Sequence, residues 1–358
     1  MTSQASTGLV VKDQPKLSSS LSTSRVTITN VVLATLLLTA VITSLGTGRF
    51  SISATRIIEI LIAFAGDPWR ATSAIDERIV LLVRAPRVLL AALCGAGLAV
   101  AGAALQGVFR NPLVAPQILG ISPGAAFGGA LAILLGWSGF ALLSLSFTCG
   151  LLALVIVGFI ARINGRTETV TIVLAGLVVG ALFGALVSLL QYVADPNGSL
   201  PAIVFWLMGS FSSATWERVW LAVPGLSIGI CGLLLLRFRL NILSLDEAEA
   251  RSLGAQPDRE RWAVFILVAL IVGSQVAISG IVGWVGLVIP HMMRFLVGSD
   301  HRKLLPASAL AGAAFTVLVD TLARSVSAAE IPLGVLTALV GAPVFAVLLR
   351  RHYRETAT

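Results

Sequence analysis

With 358 residues, of which 57% are hydrophobic and only 12% charged, this chain lacks the roughly one-quarter of charged side chains that a water-facing surface requires. That excludes a soluble domain and leaves a surface that faces lipid or other protein, in keeping with a mean hydropathy of +0.95. The net charge of +8 is read as loop charge that orients membrane spans, and no nucleic-acid partner is expected.

In chain order, residues 1–26 are polar and rich in Ser and Thr, the composition of a disordered tail. The apolar run 27–48 is read as a retained span, because the tail before it is long for a secretory leader and no clean Ala-x-Ala site follows. Within 49–86, a short amphipathic piece carries Ile57, Ile58, Ile60, Leu61 and Phe64. It is too short to cross and is read as an interfacial helix. Apolar runs follow at 87–109, 118–136, 139–160, 169–193, 217–236, 262–282, 284–297, 305–323 and 331–349, with 351–358 as a second tail. The expected fold is therefore all-α: a polytopic membrane protein of about ten transmembrane helices, forming one domain over 27–350. An even number of crossings puts both termini on one side. The tails and the loops on that side hold 17 of the 25 Lys and Arg residues, against 8 on the other. The positive-inside rule makes it the cytoplasmic side.

Several constellations stand out along these spans. From Gly95 to Gly107 small residues cover nearly the whole helix surface, as in a helix buried among others. Gly176, Gly180 and Gly184 form a stripe on 169–193, suited either to packing or to a smooth wall along a passage. Gly286 and Pro290 lead to His291 and Arg294 at another span's end; Pro290 frees a backbone carbonyl, and His291 is read as a hydrogen-bonding anchor. In the loop 237–261, Ser244-Leu245-Asp246-Glu247 has the capping-box pattern. A short helix is expected through Ala248, Ala250, Arg251 and Leu253, stopped by Gly254. It is either a solvated connector or a docking element for a cytoplasmic partner. Arg84 and Arg87 flank Pro86 at the outer mouth of the small-residue span, and Arg324 lies at another outer end. Exposed arginines there either snorkel or pair with carboxylates of a partner. Cys94, Cys149 and Cys231 are isolated within apolar runs and fit no metal site. No G-x-x-x-x-G-K-[ST] segment and no nucleophile–base arrangement is present, so no cofactor and no catalysis are assigned to this chain. Intramembrane carboxylates are nearly missing, Asp320 being the main one. An ion-coupled carrier usually needs such groups; energy is therefore expected from an ATPase partner.

Arg84-Ala85-Pro86-Arg87, Gln106 to Pro116, Leu119 to Ala125, Trp206 to Ser210, Ala250 to Gly254, Gly286 to His291, Asp300-His301-Arg302 and Leu333 to Phe345 together resemble the FecCD-type permeases. These are membrane subunits of type II ATP-binding cassette (ABC) importers for iron chelates, haem and cobalamin. The resemblance covers about residues 30–350, in family order. It implies a homodimer in a bacterial inner membrane, with two ATP-binding cassette subunits below, carrying ATP and Mg, and a periplasmic substrate-binding protein above. The implied coupling segment is 241–261, with Ser244, Leu245, Glu247, Ala250, Arg251, Leu253 and Gly254 meeting the ATPase. Arg84, Arg87 and Arg324 match the arginines that meet acidic residues of the binding protein. A passage between two subunits would be lined by 169–193 and the spans near 284–297 and 331–349. Haem or a ferric siderophore is the implied substrate, with cobalamin as runner-up and a secondary carrier as the rival class.

Overall fold

The computed structural model describes residues 23–48, 50–67, 74–163, 166–167, 169–327 and 329–356; residues 1–22 of the expected tail lie outside them. Helix α1 spans Thr23–Gly46, so it starts four residues before the expected boundary, and the amphipathic helix α2 spans Ala54–Gly66. Helix α3 (Ile75–Arg78) passes through a π-helical turn (Ile79–Arg84) into α4 (Ala85–Val108). Pro86, which has no N–H for the carbonyl four residues back, sits where the wider turn hands over. The indole N–H of Trp216 donates to the Leu81 carbonyl in that turn at 2.8 Å.

A 3-10 turn (Pro116–Leu119) then leads to α5 (Ile121–Leu134), α6 (Gly139–Ala161), a hairpin of two-residue strands β1 (Arg162–Ile163) and β2 (Arg166–Thr167), and α7 (Thr169–Val193). Next come α8 (Ser199–Leu207), α9 (Trp216–Leu235), α10 (Arg237–Leu243), α11 (Glu247–Ser252) and α12 (Pro257–Ser279). The last three helices are α13 (Val285–Val297), α14 (His301–Ser325) and α15 (Leu333–Thr356). Helix α15 continues into the segment expected as a tail.

Helix α4 is the axis of the bundle. Every residue from Gly97 to Val108 is buried, and α9, α12, α13 and α14 all pack on it. The small residues make this closeness achievable. A Cβ on Gly102 would lie 1.8 Å from the Gly286 carbonyl oxygen of α13, and one on Gly95 would lie 2.3 Å from the Gly312 carbonyl oxygen of α14. Without a hydrophobic drive between helices in lipid, such backbone contact is a main source of association.

Among the described residues, seven helical stretches are long and apolar enough to cross a bilayer, and three shorter apolar helices (Ile121–Leu134, Val285–Val297 and Leu333–Val347) accompany them. The chain is thus a multi-pass, all-helical membrane protein. The short helices α5 and α13 and the apolar part of α15 each follow irregular backbone that is hydrogen-bonded inside the fold. The amides of Leu333 and Gly334 donate to the carbonyls of Gly209 and Met208, both at 2.9 Å, and that of Ser210 to Ser279 at 2.8 Å. The Gln275 amide side chain donates to the Gly280 carbonyl at 2.8 Å. Non-helical backbone at membrane depth survives only when protein satisfies it in this way.

Candidate functional site

Two clusters of charge occupy opposite ends of α4. At its N-terminal end the three arginines expected on the surface are drawn inward. Arg84 and Arg87 are buried, and the Arg324 side chain is only 9% exposed. Arg84 donates to the carbonyls of Leu45 and Phe50. Arg324 donates to the carbonyls of Thr47 and Ser44 and to the Ser44 hydroxyl. Both arginines therefore cap the C-terminal end of α1, where unpaired carbonyls and the helix dipole favour cations. This is the physical reason they are not free.

Arg87 is held differently, between two chelating carboxylates. Its Nε donates to both Asp320 oxygens at 3.1 and 3.0 Å, and its Nη2 to Asp320 Oδ1 at 2.9 Å. On the other side Nη1 and Nη2 donate to Glu330 Oε1 and Oε2 at 2.8 and 2.9 Å. The planar guanidinium fork suits this double bidentate geometry. The Asp320 side chain is 1% exposed and that of Glu330 30%. Sequence reading found Asp320 but missed Glu330, whose only signal is an acid in the short connection after Arg324.

At the other end of α4 lies the 244–254 segment. The expected capping box does not form. Asp246, not Ser244, is the N-cap residue of α11, and the Ser244 hydroxyl donates back to the Leu240 carbonyl at 2.7 Å. The preceding helix α10 runs to Leu243, so Ser244 still belongs to its last turn. Gly254 does end the segment, with φ +77°. Ala250 is buried, whereas Leu253 is 56% exposed, and Leu245 is half-buried.

The segment is tied to two largely buried helices, α4 and α12, by charge. Asp246 pairs with Arg110, just past α4, at 2.9 Å. Glu247 pairs with Arg251 at 2.8 Å and with the buried Arg261 of α12 at 3.4 Å. These pairs hold both carboxyls below their ordinary values, Asp246 chiefly through the Arg110 hydrogen bond and Glu247 chiefly through Arg251. Asp300, which caps α14, is likewise lowered by Arg302 and, more weakly, by Asn241. Sequence reading did not connect Arg110 with Asp246, because 136 residues separate them.

The expected passage residues divide by location. A Cβ on Gly176 would lie 1.9 Å from the Ile118 carbonyl oxygen, and Gly286 abuts Pro116 and α4, so both serve internal packing. Pro290 is buried inside α13. Gly180 meets only Pro123, at 3.7 Å, and Gly184 nothing within 4 Å. Around them α7 presents an apolar, exposed face that includes Leu177, Leu182, Leu189 and Tyr192. His291 packs its ring edge-on to Phe295, with centroids 5.2 Å apart. Among the described residues no group of three His, Cys, Asp or Glu side chains is placed to hold a metal ion.

Comparison with known proteins agrees with this architecture. The chain matches the FecCD transport family over residues 36–351. It is 48% identical to the molybdate import system permease protein MolB of Haemophilus influenzae over 89% of this chain and 94% of that protein. It is 41% identical to the hemin transport system permease protein HmuU of Yersinia pestis, covering 77% of this chain and 84% of that one. A solved inward-facing metal-chelate type ABC transporter aligns with a TM-score of 0.81 at 43% identity, covering 90% of this chain and 98% of its own.

Proposed function

The chain belongs to the FecCD transport family, and from that premise we propose that it is the permease subunit of an ATP-driven importer that carries an oxyanion of the molybdate type into the cytoplasm. The observation that carries the importer reading is the pair of charge clusters at opposite ends of α4. One helix joins Arg87, at its N-terminal end, to the Arg110–Asp246 link, just past its C-terminal end. In the proposed cycle a substrate-binding protein docks on the face around Arg84, Arg87 and Arg324. On the cytoplasmic face two ATPase subunits grip α11, where Leu253 offers an exposed apolar side chain. ATP binding closes the ATPases, and α11 transmits that movement to α4 and α12 through Asp246 and Glu247. The bundle then switches the side to which it is open. The exposed face of α7, with Gly180 and Gly184, is the proposed wall of a passage shared with a second copy of this chain. Both termini are proposed to be cytoplasmic, in the inner membrane, on the distribution of Lys and Arg.

The substrate reading rests on the molybdate permease relative, which matches at 48% identity over 89% of the chain. Haem or a ferric siderophore is the second reading, favoured by the hemin permease relative and by the wide apolar face of α7. The test is uptake into liposomes holding this chain with its co-encoded ATPase and binding protein. ATP-dependent entry of labelled molybdate is the expected result. ATP-dependent entry of haem alone would replace the substrate reading and keep the importer. Entry without ATP or binding protein would overturn the importer and favour a secondary carrier.

A further inference from the structure

Arg87 has two carboxylate ligands of unequal permanence. Asp320 belongs to the interior of α14 and its side chain is 1% exposed; it cannot leave without opening the bundle. Glu330 lies in the short connection between α14 and α15, is 30% exposed, and covers the edge of the guanidinium that Asp320 leaves open. The backbone just after it is already anchored, through the Ile331 amide on the Ala323 carbonyl at 3.0 Å and the Leu333 amide on Gly209 at 2.9 Å. Of the two carboxylates, Glu330 is the one that solvent reaches.

We propose that Glu330 is an internal stand-in for a partner's carboxylate: it occupies Arg87 in the undocked subunit and is displaced when an acidic side chain of the substrate-binding protein takes the same edge. The inference rests on the docking reading above and adds its regulation. The electrostatics give the direction. The cluster of Arg84, Arg87, Arg324, Asp320 and Glu330 sums to one positive charge. Trading one carboxylate for another keeps that sum and the bidentate geometry, so the exchange replaces one hydrogen-bond set by its equal. It therefore makes docking reversible: the partner gains the contact only after Glu330 has lost it. A resident carboxylate also satisfies, between docking events, the edge of the guanidinium that Asp320 leaves open.

The test measures binding of the fluorescently labelled binding protein of the same transport system to the permease–ATPase complex in nanodiscs. Glu330→Gln, which keeps the shape but removes the charge, is expected to tighten binding about tenfold and to steepen its loss with added salt. Arg87→Gln is expected to weaken binding at least tenfold, and adding Glu330→Gln to it should then change nothing. Unchanged or weaker binding by Glu330→Gln, with Arg87→Gln weakened, overturns the exchange but leaves docking at Arg87 standing. If Arg87→Gln also binds normally, the docking reading fails and takes the exchange with it. Arg87→Gln strikes a buried pair and can fail to assemble. A nitroxide at Ala329→Cys, in a chain whose exposed Cys231 is replaced by serine, supplies the second measurement. Its mobility should rise when the unmodified binding protein is added, and an unchanged spectrum overturns the proposal.

Discussion

Removing the Asp320 carboxylate leaves the Arg87 guanidinium, 11% exposed, with only its Glu330 side satisfied. Breaking a buried pair by deleting one partner costs about 3–5 kcal/mol. Asp320→Ala is accordingly expected to lower the melting temperature of the detergent-solubilised protein by several degrees. Glu330→Gln, at a partly exposed position, should cost no more than about 1 kcal/mol and leave that temperature nearly unchanged. Equal shifts for the two variants would contradict the distinction between a fixed and an exchangeable ligand. The glycines divide in the same way. Gly176→Ala forces a Cβ onto the Ile118 carbonyl, whereas a Cβ at Gly184 has no neighbour within 4 Å. Gly184→Leu should therefore fold normally yet reduce uptake and dimer yield on native gels, if α7 lines the proposed shared passage. From sequence the three glycines read as one stripe. Which of them touches backbone depends on how α7 crosses the 3-10 turn before α5, and no local pattern encodes that crossing.

The coupling segment poses its question at the scale of elements. Composition and the stop at Gly254 announced a short helix between two spans, and α11 is there. The capping box failed because α10 runs to Leu243 and absorbs Ser244 into its final turn. A tertiary partner for Asp246, Arg110 at 2.9 Å, then fixes the start of α11 in place of a local cap. Both members of that pair are solvent-accessible, so it adds little to stability; its use is to register α11 against α4. Arg110→Ala and Asp246→Ala are each expected to leave thermal stability alone while uncoupling ATP hydrolysis from uptake, and the double variant should be no worse than either single one. Additive losses would mean that the two residues act separately. The pH dependence follows from the lowered carboxyls. Asp246 and Glu247 lie below their ordinary values, so their pairs are complete above the usual carboxylate range, about pH 4. They are lost only as pH falls through the depressed values. The coupling ratio should be flat from roughly pH 6 to 8, where neither carboxyl titrates. A titration within that window would point to a different group.

At the scale of the molecule, the number of crossings decides where the termini lie. Among the described residues, seven helical stretches qualify as spans by length and composition, and an odd number would place the two ends of the chain on opposite sides. If the three shorter helices also cross, the parity changes. Helix α5 has 14 residues and α13 has 13, each about 20 Å long at 1.5 Å per residue, against a hydrocarbon core of about 30 Å. The shortfall is made up by the irregular backbone that precedes each one, where Leu119 and Val282 are buried and the Gly280 carbonyl is hydrogen-bonded to Gln275. Because protein rather than lipid covers that backbone, such a composite segment can cross. Apolar runs in the sequence marked these segments, while their division into helix and irregular lead was hidden, because it depends on contacts between Met208–Ser210, the turn at Gly280 and the start of α15. Ten crossings predict that affinity tags at both termini resist an impermeant protease added to spheroplasts. They also predict that Ala329→Cys reacts with an impermeant maleimide while Ser252→Cys reacts only after permeabilisation, both in a background lacking the native cysteines. One protected and one cleaved tag would return the count to an odd number. The two cysteines test orientation separately, since α4 holds the docking cluster and the coupling segment at opposite ends and their labelling must invert together or not at all.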